Sequence, residues 1–189
     1  MNPTQYQETY RIASARLAGW DYATNAAYFV TICTQNHVHA FGEITGGQIN
    51  LTALGEAAWD CWHAIPEHFP FVVLGEFVAM PNHVHGIVII NKSPRDVETQ
   101  NLASLRSIAE NPGRLSLNQF GPQSQNLASI VRGFKIGVTK YARQHQIPFF
   151  WQPRYHDHII RNAEEHDRIR KYIIENPQNW AADCFYESQ

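Results

Sequence analysis

FVVLGEFVAMPNHVHGIVII, residues 71–90, is the stretch whose reading decides the fold. Phe71–Met80 and His83–Ile90 are dense in Val, Ile, Leu and Phe, which fit a pleated, covered surface, and each has the length of a strand. Between them stands only Pro81-Asn82, a tight corner in which Pro fixes φ and Asn tolerates turn geometry. The apolar density of both strands predicts central positions in a sheet.

Upstream, Ala26–Thr34 (AAYFVTICT) reads as a further buried strand, and Phe41–Leu51 as a hairpin turning at Gly46-Gly47, where positive φ carries no steric penalty. A helix is expected from Thr52 to Ile65. Thr52 can cap it, Glu56 complements its dipole, and Pro66 and Pro70 close it. Downstream, residues 91–125 turn to Ser, Asn, Gln, Pro and Gly without a sustained period, which predicts a loop insertion. QNLAS occurs there at 100–104 and again just past its end, at 125–129, but one five-residue match is too short to make a repeat architecture.

A second helix is expected from Asn126 to Gln144. Leu127, Ile130, Val131, Phe134, Val138 and Tyr141 fall on one arc of it, the pattern of a core-facing stripe. Arg132, Lys135, Lys140 and Arg143 cluster on the other side. Tyr155–Ile160 then reads as a short strand, followed by a helix over Ala163–Glu175 that Asn162 caps and Pro177 ends. The order contains βαββαβ, so the expected class is α+β: a ferredoxin-like, mainly antiparallel sheet with helices on one face and an N-terminal hairpin addition. Residues 1–189 read as a single domain.

Composition narrows the function. The 189 residues are 44% hydrophobic, enough for a substantial core. Cys33, Cys61 and Cys184 are odd in number and widely spaced, which argues against a disulfide framework and a thiolate zinc site and for a reducing cytoplasm. Met1–Arg16 lacks the apolar core of a secretion signal, and no stretch reaches transmembrane length. With 15 Lys and Arg against 17 Asp and Glu, the formal charge is −2. Any attraction to phosphates must therefore be local, and the cationic side of the second helix is the candidate strip. An ordinary solvated face is the plainer explanation of that strip taken alone.

His83 and His85 are two apart on a strand, so both imidazoles project from one sheet face and could bind one divalent ion. Two hydrogen-bonded strand histidines remain the plainer alternative in a chain with 10 histidines. His156 and His158 form a rival pair. In the expected sheet the last strand borders the first, and the strand of His83 lies on its other side, so the pairs stand two strand spacings apart, about 9.5 Å. At most one pair is then a metal site, and His156 and His158 suit polar packing or phosphate contact. Tyr172 and Asn176 lie four residues apart, one above the other on a helical face. That spacing lets Asn176 offer an amide oxygen to a metal while the Tyr172 hydroxyl faces a phosphate, although a boundary tyrosine is the commoner role.

Three ordered motifs carry a resemblance. They are Pro81-Asn82-His83-Val84-His85, WQPRYHDHIIRN at 151–162 and YIIENP at 172–177, and together they resemble the single-tyrosine HUH transposases, most closely the REP-associated tyrosine transposases, over residues 26–180. The resemblance implies a divalent cation, Mg²⁺ or Mn²⁺, held by His83, His85 and Asn176, with Tyr172 as nucleophile rather than Tyr141 or Tyr155. It implies strand cleavage through a 5′-phosphotyrosine with release of a 3′-OH. The substrate would be single-stranded or hairpin DNA, with Arg132, Lys135, Lys140, Arg143, Arg154 and Arg161 as candidate backbone contacts. A homodimer is compatible with one tyrosine per chain. A nucleic-acid-binding module without catalysis and a metal nuclease using activated water are the two other readings.

Overall fold

The structure is a computed structural model that describes residues 17, 19–93 and 125–186. Most of the segment expected to be a loop insertion, including the first QNLAS, lies outside the described residues. Four strands form one antiparallel sheet: β1 (Ala26–Cys33), β4 (Val72–Ala79), β5 (His83–Ile90) and β6 (His156–Ile160). They lie in the order β4-β5-β1-β6, as the βαββαβ reading requires, and β2 (Gly42–Thr45) and β3 (Gln48–Leu51) form a separate hairpin. Gly46 and Gly47 turn that hairpin with φ of 62° and 76°, a left-handed pair that side-chain-bearing residues adopt at a penalty.

Alternation along the strands divides the interior in two. Tyr28, Val30 and Ile32 of β1 and Val84, Val88 and Ile90 of β5 point to one face, where they meet α1 (Ala53–His63) and α2 (Leu127–Gln144). Phe29 of β1 and Ile87 and Ile89 of β5 point to the other, against α3 (Ala163–Glu175) and Trp180. The two crossover helices thus share one face, but α3 covers the opposite one, which corrects the expectation of helices on one face: Phe29, Ile87 and Ile89 make that second face apolar, and Ile169 and Ile173 bury it. Gly86 makes the first packing close. A Cβ there would stand 2.3 Å from the Trp62 ring, so only glycine lets that indole lie flat on the strand.

The helix ends follow local chemistry. Thr52 Oγ1 accepts from the Gly55 N–H to cap α1. Asn126 and Ser129 bond each other's backbone reciprocally in a capping box that starts α2. Asn162 Oδ1 accepts from the Glu165 N–H to start α3. Leu127, Ile130, Val131, Phe134 and Val138 are buried as the periodicity of α2 predicts, each burial stabilising by about 1.5–3 kcal/mol, and Tyr141 packs beside them.

Two further expectations need correction. α1 ends at His63, and Pro66 instead opens a separate helical turn, Ile65–His68, because its missing N–H is harmless in a first turn. β4 is an edge strand and not a central one. Its apolar content comes from cover on both faces, by α1 on one side and α3 on the other. A register shift between Leu74 and Phe77 and the Glu76–Arg170 ion pair to α3 blunt that edge against further strand pairing.

A candidate metal and tyrosine site

β5 brings His83 and His85 to the α3 face near one end of the sheet. Both are buried, at 0% and 1% exposure, and their Nε2 atoms face each other at 3.0 Å. The outer nitrogens are held as well. Asn82, in the corner, donates its Nδ2 hydrogen to the Phe185 carbonyl at 2.8 Å, which leaves its Oδ1 to accept from His83 Nδ1 at 2.8 Å. His83 therefore carries its proton on Nδ1 and turns a bare lone pair inward. His85 Nδ1 lies 2.8 Å from Thr31 Oγ1, a hydroxyl that can donate or accept and so serve either tautomer. Burial pushes the His83 pKa down to about 4 and that of His85 well below its usual value, so both are neutral near pH 7.

α3 supplies the other wall. Tyr172 is 42% exposed, and its hydroxyl lies 3.3 Å from His85 Nε2 and 3.5 Å from Asp183 Oδ2. Its ring meets Phe29 edge-on with centroids 6.1 Å apart. Burial and the Asp183 carboxylate push the phenol pKa up to about 12. Asn176, one turn on, is 2% exposed; its Nδ2 donates to Asp183 Oδ2 at 3.0 Å. Its Oδ1 is buried without a hydrogen-bond partner among the described residues, as expected of an oxygen kept for a cation.

Asp183 is the residue that sequence reasoning missed. One of its carboxylate oxygens accepts from the Phe185 N–H at 2.7 Å, fixing the turn that carries Phe185 over His83 with ring centroids 4.7 Å apart. Ligand atoms of His83, His85 and Asp183 lie within 4.8 Å of one another. Two imidazole nitrogens at 3.0 Å match two ligands each about 2.1 Å from one ion at a right angle, and an orphan amide oxygen and a carboxylate stand beside them. The residues present fit a divalent cation. Asp183 sits in an irregular tail, past the last periodic element, where its only sequence signal was an acidic residue close behind YIIENP.

The remaining candidates spread over three places. Register puts His85 opposite Thr31 and Thr31 opposite His156, so the rival pair is two strands from the site, on the same face. His158 is bonded to Glu165 at 2.8 Å. Arg154 and Arg161 are exposed at that same sheet edge, Arg154 with φ of 72°. Arg132, Lys140 and Arg143 are exposed on the outer side of α2, across the sheet from Tyr172, where they border a cleft of about 690 Å³. Lys135 is turned inward. Its Nζ donates to the carbonyls of Gln152 and Arg154 at 3.0 and 2.7 Å and lies 5.5 Å over the Trp151 ring, so it ties the 149–155 segment to α2. Tyr141 stacks on His145, and Tyr155 packs against the core beside α2, both away from the histidine pair.

No known family profile matches the chain. Among solved structures, that of the REP-associated tyrosine transposase bound to a REP hairpin superposes with a TM-score of 0.55 at 16% identity, covering 87% of this chain and 74% of that one. The two share a fold. A protein of Haemophilus influenzae, described as uncharacterized, is 39% identical over 177 residues, 92% of each chain. By that identity and coverage, the chain belongs to the family of this Haemophilus influenzae protein, built on the fold of the REP-associated tyrosine transposase.

Proposed function

We propose that this protein cleaves and rejoins single-stranded or hairpin DNA through a covalent link to Tyr172, with a divalent cation, Mg²⁺ or Mn²⁺, held by His83, His85 and Asn176. The observation that carries the reading is the Tyr172 hydroxyl 3.3 Å from His85 Nε2, which itself faces His83 Nε2 at 3.0 Å beside the orphan Asn176 oxygen. A spare core tyrosine has no reason to direct its hydroxyl at a preformed ligand cluster. The fold shared with a tyrosine transposase supports the same reading.

When bound, the cation would polarise a phosphate and offset the negative charge that develops on its oxygens. Tyr172, carried on α3 and steadied by Phe29, attacks phosphorus with its phenolic oxygen. The bond to the 3′ oxygen breaks, the phosphorus stays on the 5′ oxygen of the downstream strand, and the departing 3′ oxygen takes a proton from water to leave as a 3′-OH. That hydroxyl can attack the phosphotyrosine in the reverse sense, so rejoining needs no outside energy source. The phenolic proton must depart during attack because the group is neutral at pH 7, and Asp183 Oδ2, 3.5 Å away, is placed to receive it. Arg154, in the loop that enters β6 at the end of the sheet carrying His83, is the first candidate to hold the backbone, and Arg161, at the other end of β6, would meet a part further along. The strip Arg132, Lys140 and Arg143 would serve a more distant part of a hairpin.

The test is incubation with a hairpin oligonucleotide carrying single-stranded flanks, with Mn²⁺ or Mg²⁺, followed by denaturing electrophoresis. A metal-dependent protein–DNA adduct is expected from the native chain and none from Tyr172→Phe. Full adduct formation by that variant refutes the nucleophile. Cutting without any adduct in both proteins would establish the water-activating nuclease instead, and DNA binding without cutting the inactive module.

A further inference from the structure

Phe150 is 70% exposed, and its surroundings explain why it cannot be otherwise. Its neighbours Phe149 and Trp151 both turn into the core, 4.9 Å apart, where each also packs on Phe41. The backbone between them is pinned to the end of β1. Gln35 N–H donates to the Phe150 carbonyl at 2.8 Å, Gln152 N–H donates to the Cys33 carbonyl at 2.9 Å, and Thr34 pairs with Trp151. An extended segment whose flanking side chains point to the α1–α2 face must send the middle one to the opposite face. Phe150 thus stands on the face of Tyr172, held there by three backbone contacts.

Register places it further. Cys33 pairs with His83, and the 149–152 segment continues the edge formed by β6, so Phe150 lies two strand spacings and one pleat from His83, about 12 Å. Along the same edge and face follow Gln152, His156 and His158, with Arg154 in the intervening loop. Asn36 and His37, which follow Gln35 in the loop after β1, both hold positive φ, 54° and 52°, without being glycine, and the His37 ring turns to Phe185 with centroids 5.8 Å apart. Such strain persists where surrounding structure fixes a loop, and it concentrates at ligand-binding sites.

We propose that Phe150 is a stacking platform for an unpaired base of the strand whose phosphate Tyr172 attacks, about two nucleotides from the scissile bond, with His156 and Arg154, further along the same edge, against its backbone. This rests on the strand-cleaving reading above and adds the path of the substrate. A large rigid aromatic ring exposed beside imidazole and guanidinium groups has the chemistry that single-stranded nucleic acid selects, since every base has a face to stack and every phosphate a charge to pair. The platform would accept any base.

The experiment measures binding of a single-stranded oligonucleotide carrying 2-aminopurine at successive positions around the cleavage site. The native chain should quench one position about two nucleotides from the cut. Phe150→Ala should lose that quenching and bind about 5- to 150-fold more weakly, while Phe150→Trp retains both. Phe150→Ala with native affinity and native quenching overturns the proposal. So does loss of a dimer in that variant with DNA affinity unchanged, which would make Phe150 a surface for a second copy. A native chain that forms the Tyr172 adduct but shows no quenched position refutes the stacking alone. A native chain that binds no oligonucleotide refutes the strand-cleaving reading beneath it.

Discussion

Replacing Thr31 by Val tests whether the histidine pair is built for a cation. The side chain is 5% exposed and nearly isosteric with valine, so packing changes little, but His85 Nδ1 loses its partner at 2.8 Å. Without metal, the loss is one neutral hydrogen bond, about 1 kcal/mol. With metal on Nε2, His85 must carry its proton on Nδ1, and the bond it loses is strengthened by the cation's charge, about 2–3 kcal/mol. The difference, about 1–2 kcal/mol, is a 5- to 30-fold weaker site. Calorimetric titration with Mn²⁺ measures this directly, and thermal unfolding with and without Mn²⁺ gives the same difference independently. Thr31→Ser, which keeps the hydroxyl and loses a buried methyl, should recover most of the affinity while lowering the metal-free melting temperature. If Thr31→Val bound Mn²⁺ as tightly as the native chain, His85 would not be the ligand whose outer nitrogen Thr31 orients.

Two further outcomes follow from the same geometry. His83 has a folded pKa depressed to about 4 from 6.5, so between those values the unfolded chain binds more protons; metal-free stability should hold above about pH 6.5 and fall as pH drops towards 4, by about 2 kcal/mol between pH 7 and pH 5 from His83 alone, with His85 acting in the same direction. Urea midpoints at the two pH values measure it, and a midpoint unchanged over that range would contradict the buried neutral pair. Asp183→Asn removes a charge that raises the Tyr172 pKa, so the phenol should titrate below about 12, visible as the difference in 295 nm absorbance titration between proteins with and without Tyr172; an unmoved titration would place Asp183 elsewhere.

The readable parts of the chain were those governed by a period or a cap. β1 and β5 announce themselves by a run of β-branched and apolar residues and α2 by the 3.6-residue stripe, and Thr52, Asn126 and Asn162 mark helix starts because their side chains satisfy the orphan N–H groups there. The spacing of His83 and His85 fixed their common face, and the strand order fixed their distance from His156. What periodicity cannot convey is which neighbour a face will meet. α3 has a narrow apolar stripe, Ile169 and Ile173, and nothing in that stripe says that it covers the sheet face away from α1 and α2. The same gap hid the edge position of β4, whose apolar content reflects two covers rather than two strand neighbours. Lys135 looked like a member of a cationic strip because helical phase records direction but not the carbonyls waiting at Gln152 and Arg154.

The site joins a rigid half to a lightly held one, and the difference bears on how it works. His83 and His85 sit on a strand paired on both sides, with outer nitrogens fixed by Asn82 and Thr31, so the ligand nitrogens can hardly move without disturbing the sheet. Tyr172 rides on a helix with two buried residues, half exposed, its hydroxyl within reach of His85 and Asp183 but held by neither at a short distance. On the proposed function, a nucleophile that must first attack, then carry a DNA end, then release it to a 3′-OH benefits from a mount that can shift while the electrostatic centre stays put. Asp183 links the halves: one oxygen bonds the Asn176 amide of α3, while the other bonds the backbone of the turn carrying Phe185 onto His83. Loosening α3 by shortening Ile173, 1% exposed in the interface with the sheet, should therefore affect tyrosine attack far more than cation binding by the histidines.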